Sequence, residues 1–588
     1  MNSRERRTAA GEPSSLNPDR PTADTPAALY QAGLADLRAE RYLDAQLHGQ
    51  QALALDSNHA DSLHLMGLLS LHATQYDHAA EWISRAVAQD PRPEFLYSLG
   101  TALRHQKRYQ DAVNVFDKAV QLKPDKAELW TALGKALVDL ERRDEALLSF
   151  QHALKLNPQL WDAAHESGTL LNRMGRREEA LAHFMRCAEL KPNHAADDAT
   201  TFNNIGNTLQ SLDRSAEALP WLDRALDRRP DFVDALVNKA IALSQLRRFD
   251  EAFAIYARIK ALNPNHVVSN WNAALLHLLT GDFEAGWAGR ETRRDIPSLS
   301  AGYPKFTEPM WLGRENIEGK AILIASDEGL GDAIQFARYV PGVAARGARV
   351  ILVLQDALCS LLSGLPGVSQ CIPKSVAANG VPPFDFHCPL CSLPLAFATR
   401  LDSIPADMPY LPPLATGRVK AWEDRLGPHD KLRVGLVWSG NPEHKGDHHR
   451  STSLRAYSAL LDVDATFVSL QKDPRPNDRA TLLERTDIVD LTTELTDFTE
   501  TAALISCLDL VITVDTSVAH LAGALGCPTW ILLAYSPDYR WLLDRDDSPW
   551  YPSVRLFRQP ESRDYAPVVD CVRAELTALI SRWEQAKA

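Results

Sequence analysis

Apolar and polar positions follow two different rules along this chain. From about residue 26 to residue 295, apolar residues recur at helical spacing, interrupted by small residues at a near-constant interval. After Gly319 the pattern changes to short apolar runs separated by helix-length stretches. Ala321–Ala325 and Val350–Leu354 read as strands, with helices over Ala333–Ala345 and Ala357–Leu365. A second such run begins at Arg433–Trp438. It continues through Thr466–Leu470, a helix over Glu500–Cys507, and the strands Leu510–Val514 and Thr529–Leu533. Strands alternating with helices predict parallel sheets covered by helices. The Pro-rich stretch Ile404–Pro413 separates the two runs, and a final helix over Tyr565–Trp583 is expected to cross back over the first.

The first region is a repeat. Gly33, Gly67, Gly100, Gly134, Gly168, Gly206, Ala240 and Ala274 lie 34, 33, 34, 34, 38, 34 and 34 residues apart. Alanines follow twelve residues after the first seven, at Ala45, Ala79, Ala112, Ala146, Ala180, Ala218 and Ala252. Pro91, Pro124, Pro158, Pro192, Pro230 and Pro264 close six of the units. Small residues let two helices cross closely, Phe116, Phe150 and Phe184 fill the space beside them, and proline ends the second helix. The unit Trp130-Thr-Ala-Leu-Gly134…Ala146…Phe150…Ala153…Pro158 resembles the tetratricopeptide repeat. The resemblance implies an α-solenoid over residues 26–295 of about eight units, with a concave surface suited to binding a partner. The 38-residue step is expected to be a longer loop around His194–Thr200, and the last unit, from Val267, is degenerate. Residues 296–319, rich in Pro, Gly, Trp and Tyr, read as a linker.

Composition narrows the field. The 588 residues exceed a single core. A net charge of −13 argues against broad electrostatic binding of nucleic acid. Eight cysteines in this length make no disulfide scaffold. Cys388 and Cys391 form a lone CxxC pair beside His387, which reads as buried and structural, since a metal site would need more ligands. No apolar run spans a membrane, and residues 1–25 lack the core of a signal peptide. A disordered tail and a cytoplasmic location are the simplest expectations.

Ligands of open parallel sheets sit beyond the carboxyl ends of the strands, and three segments occupy such positions. The first is Ser326-Asp-Glu-Gly-Leu-Gly-Asp-Ala-Ile334, where Gly329 and Gly331 permit a tight turn. Asp332 could take a proton from a hydroxyl, or serve only as an acid at a helix start. The second is the polar loop Trp438–Ser453. Its Lys445 and Arg450, with Lys472 beyond it, could neutralise a diphosphate, while His444, His448 and His449 lack the spacing of a metal site. The third is Asp515-Thr-Ser-Val-Ala-His520, where a strand restarts as a helix and backbone amides are left free for an anion. An ordinary strand–turn–helix with Thr516 as cap and a buried His520 is the plainer alternative.

With these segments together, residues 319 to about 585 resemble the heptosyltransferase-like glycosyltransferases of family 9. Gly329-Leu-Gly-Asp-Ala-Ile334 is similar to the family's Gly-Asp turn, Asp515-Thr-Ser-Val-Ala-His-Leu521 to its Asp-Thr-Gly-x-x-His-Leu motif, and His449-Arg450 to its basic position. Ser517 stands where the family has Gly, Arg450 where Lys is usual, and Ser451-Thr452 where Trp-Pro follows. The resemblance implies a GT-B fold, with Rossmann-like halves over 320–415 and 430–588. It implies an inverting, metal-independent transferase without a cofactor, using a nucleotide-diphosphate sugar. Asp332 would be the base, and Gly331, Arg450, Lys472, Asp515, Thr516, Ser517 and His520 would bind the donor. The acceptor, a protein, peptide or glycan, would be selected with the repeats. A repeat scaffold with an inactive transferase-like domain, and a lipopolysaccharide-type heptosyltransferase, are the alternatives.

Overall fold

A computed structural model describes residues 25–190, 195–444 and 446–587. The expected tail, Pro192 and Lys445 lie outside the described residues. The chain forms an α-solenoid followed by parallel α/β sheets. Its contacts divide it into two compact units, one ending at Phe232 and one beginning at Val233.

The repeat spacing has a direct physical cause. A Cβ built on Gly100 would lie 2.6 Å from the Phe116 ring, one on Gly134 2.5 Å from Phe150, and one on Gly168 2.8 Å from Phe184. Each small residue is thus required by the large residue sixteen positions later on the paired helix. The alanines twelve residues on, from Ala45 to Ala252, are fully buried. Pro91, Pro124, Pro158, Pro230 and Pro264 each stand two residues beyond a helix end. The 38-residue step does not lengthen a loop in the described residues: the helix Ala195–Ser211 has 17 residues, where the preceding Trp161–Arg173 has 13, so four extra residues extend a helix.

The second unit takes in the last two helical pairs, from Val233 to Arg290, together with both sheets. The degenerate last helix, Phe283–Arg290, has only eight residues. Its Trp287 is buried, donates from the indole to the Thr399 carbonyl at 3.1 Å, and meets Phe336, Tyr539 and Trp550 edge-on. The stretch 296–319 is not a free linker. Trp311 is fully buried, its amide donates to the His387 carbonyl at 2.8 Å, and the His387 amide returns to the Pro309 carbonyl at 3.1 Å. This segment therefore extends the first sheet at its edge.

The first sheet holds β1 (Ala321–Ala325), β2 (Arg349–Leu354), β3 (Val368–Pro373) and β4 (Phe386–Pro389), in the order β3-β2-β1-β4. The second holds β5 (Arg433–Val437), β6 (Thr466–Ser469), β7 (Ile488–Asp490), β8 (Leu510–Val514), β9 (Thr529–Leu533) and β10 (Val554–Arg558), in the order β10-β9-β8-β5-β6-β7. All these pairings are parallel. The second order is the doubly wound one, with its reversal between β5 and β8. The expected helix over 333–345 is three short pieces, Leu330–Phe336, Ala337–Tyr339 and Val340–Ala345, with Pro341 in the third. The C-terminal helix, Ala566–Lys587, does not cross to the first sheet. Its Val568, Val572, Leu576 and Ile580 share one core with Val434, Leu436, Phe467 and Leu532 of the second sheet.

Candidate functional site

Strand order decides where chemistry can gather. β5 pairs with both β6 and β8, and the connections leave it in opposite directions. The carboxyl ends of β5 and β8 therefore open a crevice, and Trp438–Gly440 and Asp515–Ser517 are its two lips. On the first sheet β1 leads into the turn Ser326–Gly329 and the helix Leu330–Phe336. That helix packs directly on Ser517–Ala524 of the second half. Gly331 makes the approach possible: a Cβ there would lie 2.8 Å from His520 Cδ2 and 3.5 Å from Ser517 Cα.

Asp332 is held on both carboxylate oxygens. Oδ2 accepts the Gly329 amide at 2.9 Å, and Oδ1 is ion-paired with Arg540 Nη2. Arg540 is buried, and also donates to Gln335 Oε1 at 2.6 Å and Asp538 Oδ1 at 2.7 Å. Burial works against its charge, but Asp538, Tyr539, Asp332 and Glu328 outweigh it and keep its pKa well above the ordinary value.

The turn after β8 has neither an ion pair nor a side-chain cap among the described residues. Thr516 caps the helix by position only: its side chain makes no capping bond, and its Oγ1 lies 3.3 Å from Thr513 Oγ1. The first-turn amides of the helix at Ser517 and Val518 thus have no intrahelical acceptor, and both residues line the crevice. Asp515 is half-buried and makes no ion pair among the described residues. Burial and then Asp538 push its pKa up to about 6, against the pull of Arg450 and Arg540. His520 Nδ1 lies 2.9 Å from the Tyr551 hydroxyl, and its ring stacks on Trp541 with centroids 5.4 Å apart. Burial, reinforced by Arg540, pulls its pKa down to about 3, so the imidazole is neutral.

Across the crevice, Gln471 Oε1 accepts the amides of Trp438 (3.2 Å) and Ser439 (3.0 Å), which fixes the start of the loop after β5. Asp447 anchors its end, ion-paired with Arg475 and accepting from Ser451 Oγ at 2.8 Å. Arg450 is poorly satisfied by comparison. Its Nε is buried without a hydrogen-bond partner and lies 3.6 Å from Asp447 Oδ1, and its guanidinium lies close against Gly440. Ser439 Oγ is likewise buried and unpartnered. Lys472 is exposed. His448 and His449 pack ring to ring, 4.0 Å between centroids, while burial and then Arg450 lower the pKa of His444.

One cavity of about 1200 Å³ joins these groups. Gly331, Asp332, Arg450, Lys472, Asp515, Thr516, Ser517 and His520 all line it, together with His444 and His449 but not His448. Sequence reasoning missed Arg540, Asp538 and Tyr551, because only folding brings them to Asp332 and His520. It also missed that repeat helices form part of the wall, through Ile241, Gln245, Tyr256, Asn272, Leu275 and Leu279.

Cys388 and Cys391 are buried, and burial pushes both thiols well above their ordinary pKa. Ligand atoms of Cys391, Asp327 and Glu328 fall within 4.8 Å of one another. Both carboxylates already face arginines, Asp327 at 2.8 Å from Arg293 and Glu328 at 2.5 Å from Arg290, so positive charge is supplied there by the protein itself. No helix among the described residues is long and apolar enough to cross a membrane.

Comparison with known proteins places repeats in the first half of the chain and a transferase domain near its end. Residues 472–568 match glycosyltransferase family 9 (heptosyltransferase). Residues 162–231 and 203–267 match the tetratricopeptide repeat, and residues 72–153 match anaphase-promoting complex, cyclosome, subunit 3. Protein FlbA of Caulobacter vibrioides is 26% identical over 409 residues, which are 64% of this chain and 67% of FlbA. Among solved structures, Pseudomonas aeruginosa pilF is 21% identical with a TM-score of 0.33, covering 36% of this chain and 94% of its own. YrrB, described as a TPR protein with an unusual peptide-binding site, is 28% identical with a TM-score of 0.27, over 32% of this chain and 95% of its own.

Proposed function

We propose that this chain, which carries tetratricopeptide repeats and a glycosyltransferase family 9 domain, moves a sugar from a nucleotide-diphosphate sugar to a hydroxyl of a protein or peptide. The observation that carries the reading is the pair of half-satisfied groups on adjoining strand ends, Asp515 after β8 and Arg450 after β5, facing Asp332 across one cavity. Buried polar groups normally find partners inside the protein, and here a ligand would supply them.

In this reading the diphosphate lies against the amides of Ser517 and Val518, with Arg450 and Lys472 as its cations. Thr516, Asp515 and neutral His520 contact the donor's hydroxyl groups. The acceptor oxygen attacks the anomeric carbon from the face opposite the diphosphate. Its proton passes to the Asp332 carboxylate, the bond from carbon to phosphate oxygen breaks, and the electron pair leaves with the nucleotide diphosphate. The configuration inverts, and no metal is needed for the leaving charge because Arg450, Lys472 and the helix amides meet it. The repeat residues in the cavity wall support acceptor selection by the array.

The ion pair between Asp332 and Arg540 favours a second reading, a repeat scaffold whose transferase-like domain has lost turnover, because a carboxylate already bonded to a guanidinium offers less to a hydroxyl proton. Release of nucleotide diphosphate from a panel of ADP-, GDP- and UDP-sugars, with peptide and glycan acceptors, separates the two. Acceptor-dependent release that Asp332→Asn abolishes supports the transferase; donor binding without release from any pair supports the scaffold. Deletion of residues 26–232, which leaves the second compact unit whole, tests the acceptor. Transfer to a glycan retained by the truncated chain would count against peptide recognition by the array.

A further inference from the structure

The turn that leads to Asp332 is held from outside its own sheet. Residues 326–329 lie between β1 and the helix Leu330–Phe336 and belong to neither. Two arginines from the end of the repeat array grip them. Arg290 closes the last repeat helix and Arg293 lies in the short turn after it, with 1% and 2% of their surfaces exposed. Arg290 Nη2 donates to Glu328 Oε2 at 2.5 Å, and Nη1 to the Cys391 carbonyl at 3.2 Å. Arg293 donates to Asp327 Oδ2 at 2.9 Å, to Glu291 Oε1 at 2.6 Å and to Ser392 Oγ at 2.7 Å. The same turn is tied to its sheet by two further bonds. The Cys391 amide donates to Asp327 Oδ1 at 3.1 Å, and Gln355 Nε2 to the Glu328 carbonyl at 2.7 Å.

Such a cluster is costly to bury. Guanidinium and carboxylate lose hydration together, and removing one partner leaves the other uncompensated. Two apolar pairs of similar volume would close the same space at no such cost, so the ionic form calls for a role beyond cohesion. Its directed bonds fix Glu328, and Glu328 is followed at once by Gly329, whose amide orients the Asp332 carboxylate. We propose that Arg290 and Arg293 are positioning residues for Asp332: they set the 327–329 turn so that the Gly329 amide stays aimed at the carboxylate, and they make the end of the repeat array part of the catalytic half. The functional consequence rests on the transferase reading; the geometric claim does not.

Replacing Arg290 alone would strand Glu328, so the informative variant removes both charges, Arg290→Met with Glu328→Gln, in the full chain. Hydrogen exchange then reads the turn directly. The expected result is exchange about tenfold faster or more at the amides of residues 329–332, with β2, β5 and β8 protected as in the parent. Turnover should fall about tenfold with the KM for the nucleotide sugar within about twofold, a split that a general loss of stability would not produce. Arg293→Lys, which keeps the charge and loses the fork, serves if the double variant does not fold, and should loosen the same amides. Unchanged exchange at 329–332 in a folded variant overturns the proposal, and so does a kcat that returns with the melting temperature. If the parent enzyme itself turns over no donor, the transferase reading fails, and the exchange result still decides the positioning claim.

Discussion

The turns after β1 and after β8 begin alike, each a strand end running through small and acidic residues into a helix, yet they are finished in opposite ways. After β1 every acid has a partner: Asp327 and Glu328 have the arginines from the array, and Asp332 has Arg540 and the Gly329 amide. After β8, Asp515 has no ion pair among the described residues, Thr516 leaves the helix uncapped, and Arg450 nearby has a buried Nε without a partner. The acids of the first turn are all ion-paired within the protein, as a group that must be aimed should be, although Ser326 Oγ and Glu328 Oε1 are buried without a hydrogen-bond partner. The second carries an acid without an ion pair among the described residues and a helix start without a side-chain cap, which in the proposed reading an anion and hydroxyl groups of the donor would meet.

The largest effect expected from breaking this contrast is on the finished side. Asp332→Asn should lower turnover by about 10³-fold or more while nucleotide affinity stays within about threefold, because a base acts in the transition state and not in donor binding; steady-state kinetics beside calorimetric titration would show it. Closing the gap between the turns should come next. Gly331→Ala places a methyl 2.8 Å from His520 Cδ2, and thermal melting should report a loss of about 1–3 kcal/mol from forced repacking of the two helices.

The smallest effect should have the opposite sign. Asp515 has its pKa raised to about 6 from the ordinary 3.8, so the folded chain binds the proton more tightly than the unfolded one. The penalty is absent below the unfolded value, grows as pH rises through the interval and is complete above about 6. Asp515→Asn should therefore melt with the parent near pH 4 and above it at pH 7.5, by about 1–2 kcal/mol after allowance for its partial exposure. The same variant should bind nucleotide sugar less well. A variant that gains stability and keeps affinity would remove Asp515 from the donor site.

Much of this was legible in the sequence, for identifiable reasons. The solenoid was readable because Gly100 must face Phe116, and Gly134 must face Phe150, at a period that close helix crossing imposes. The two sheets were readable because fully buried strands such as Ile322–Ala325 and Leu510–Val514 are runs of apolar or β-branched residues. Placement on neighbours was not readable. The stripe Val568, Val572, Leu576 and Ile580 says that the last helix packs, but nothing in it says on which sheet. The extra four residues before Ile205 carry alanines and aspartates that suit a helix as well as a loop, and tertiary context made them helix. The partners of the candidate base were hidden for a plainer reason: Arg540 lies 208 residues from Asp332, and Arg290 38 residues from Glu328. Charge pairing over such distances leaves no local pattern.

The central claim is that the unfinished turn is a nucleotide-diphosphate site. Calorimetric titration of ADP, GDP, UDP and their sugars into the full chain, beside Arg450→Met, tests it most directly. The account predicts one saturable site per chain for one of these nucleotides, weakened about tenfold or more by the substitution, which removes a charge-assisted contact to phosphate. Binding of none of them, or binding that Arg450→Met leaves unchanged, would contradict it.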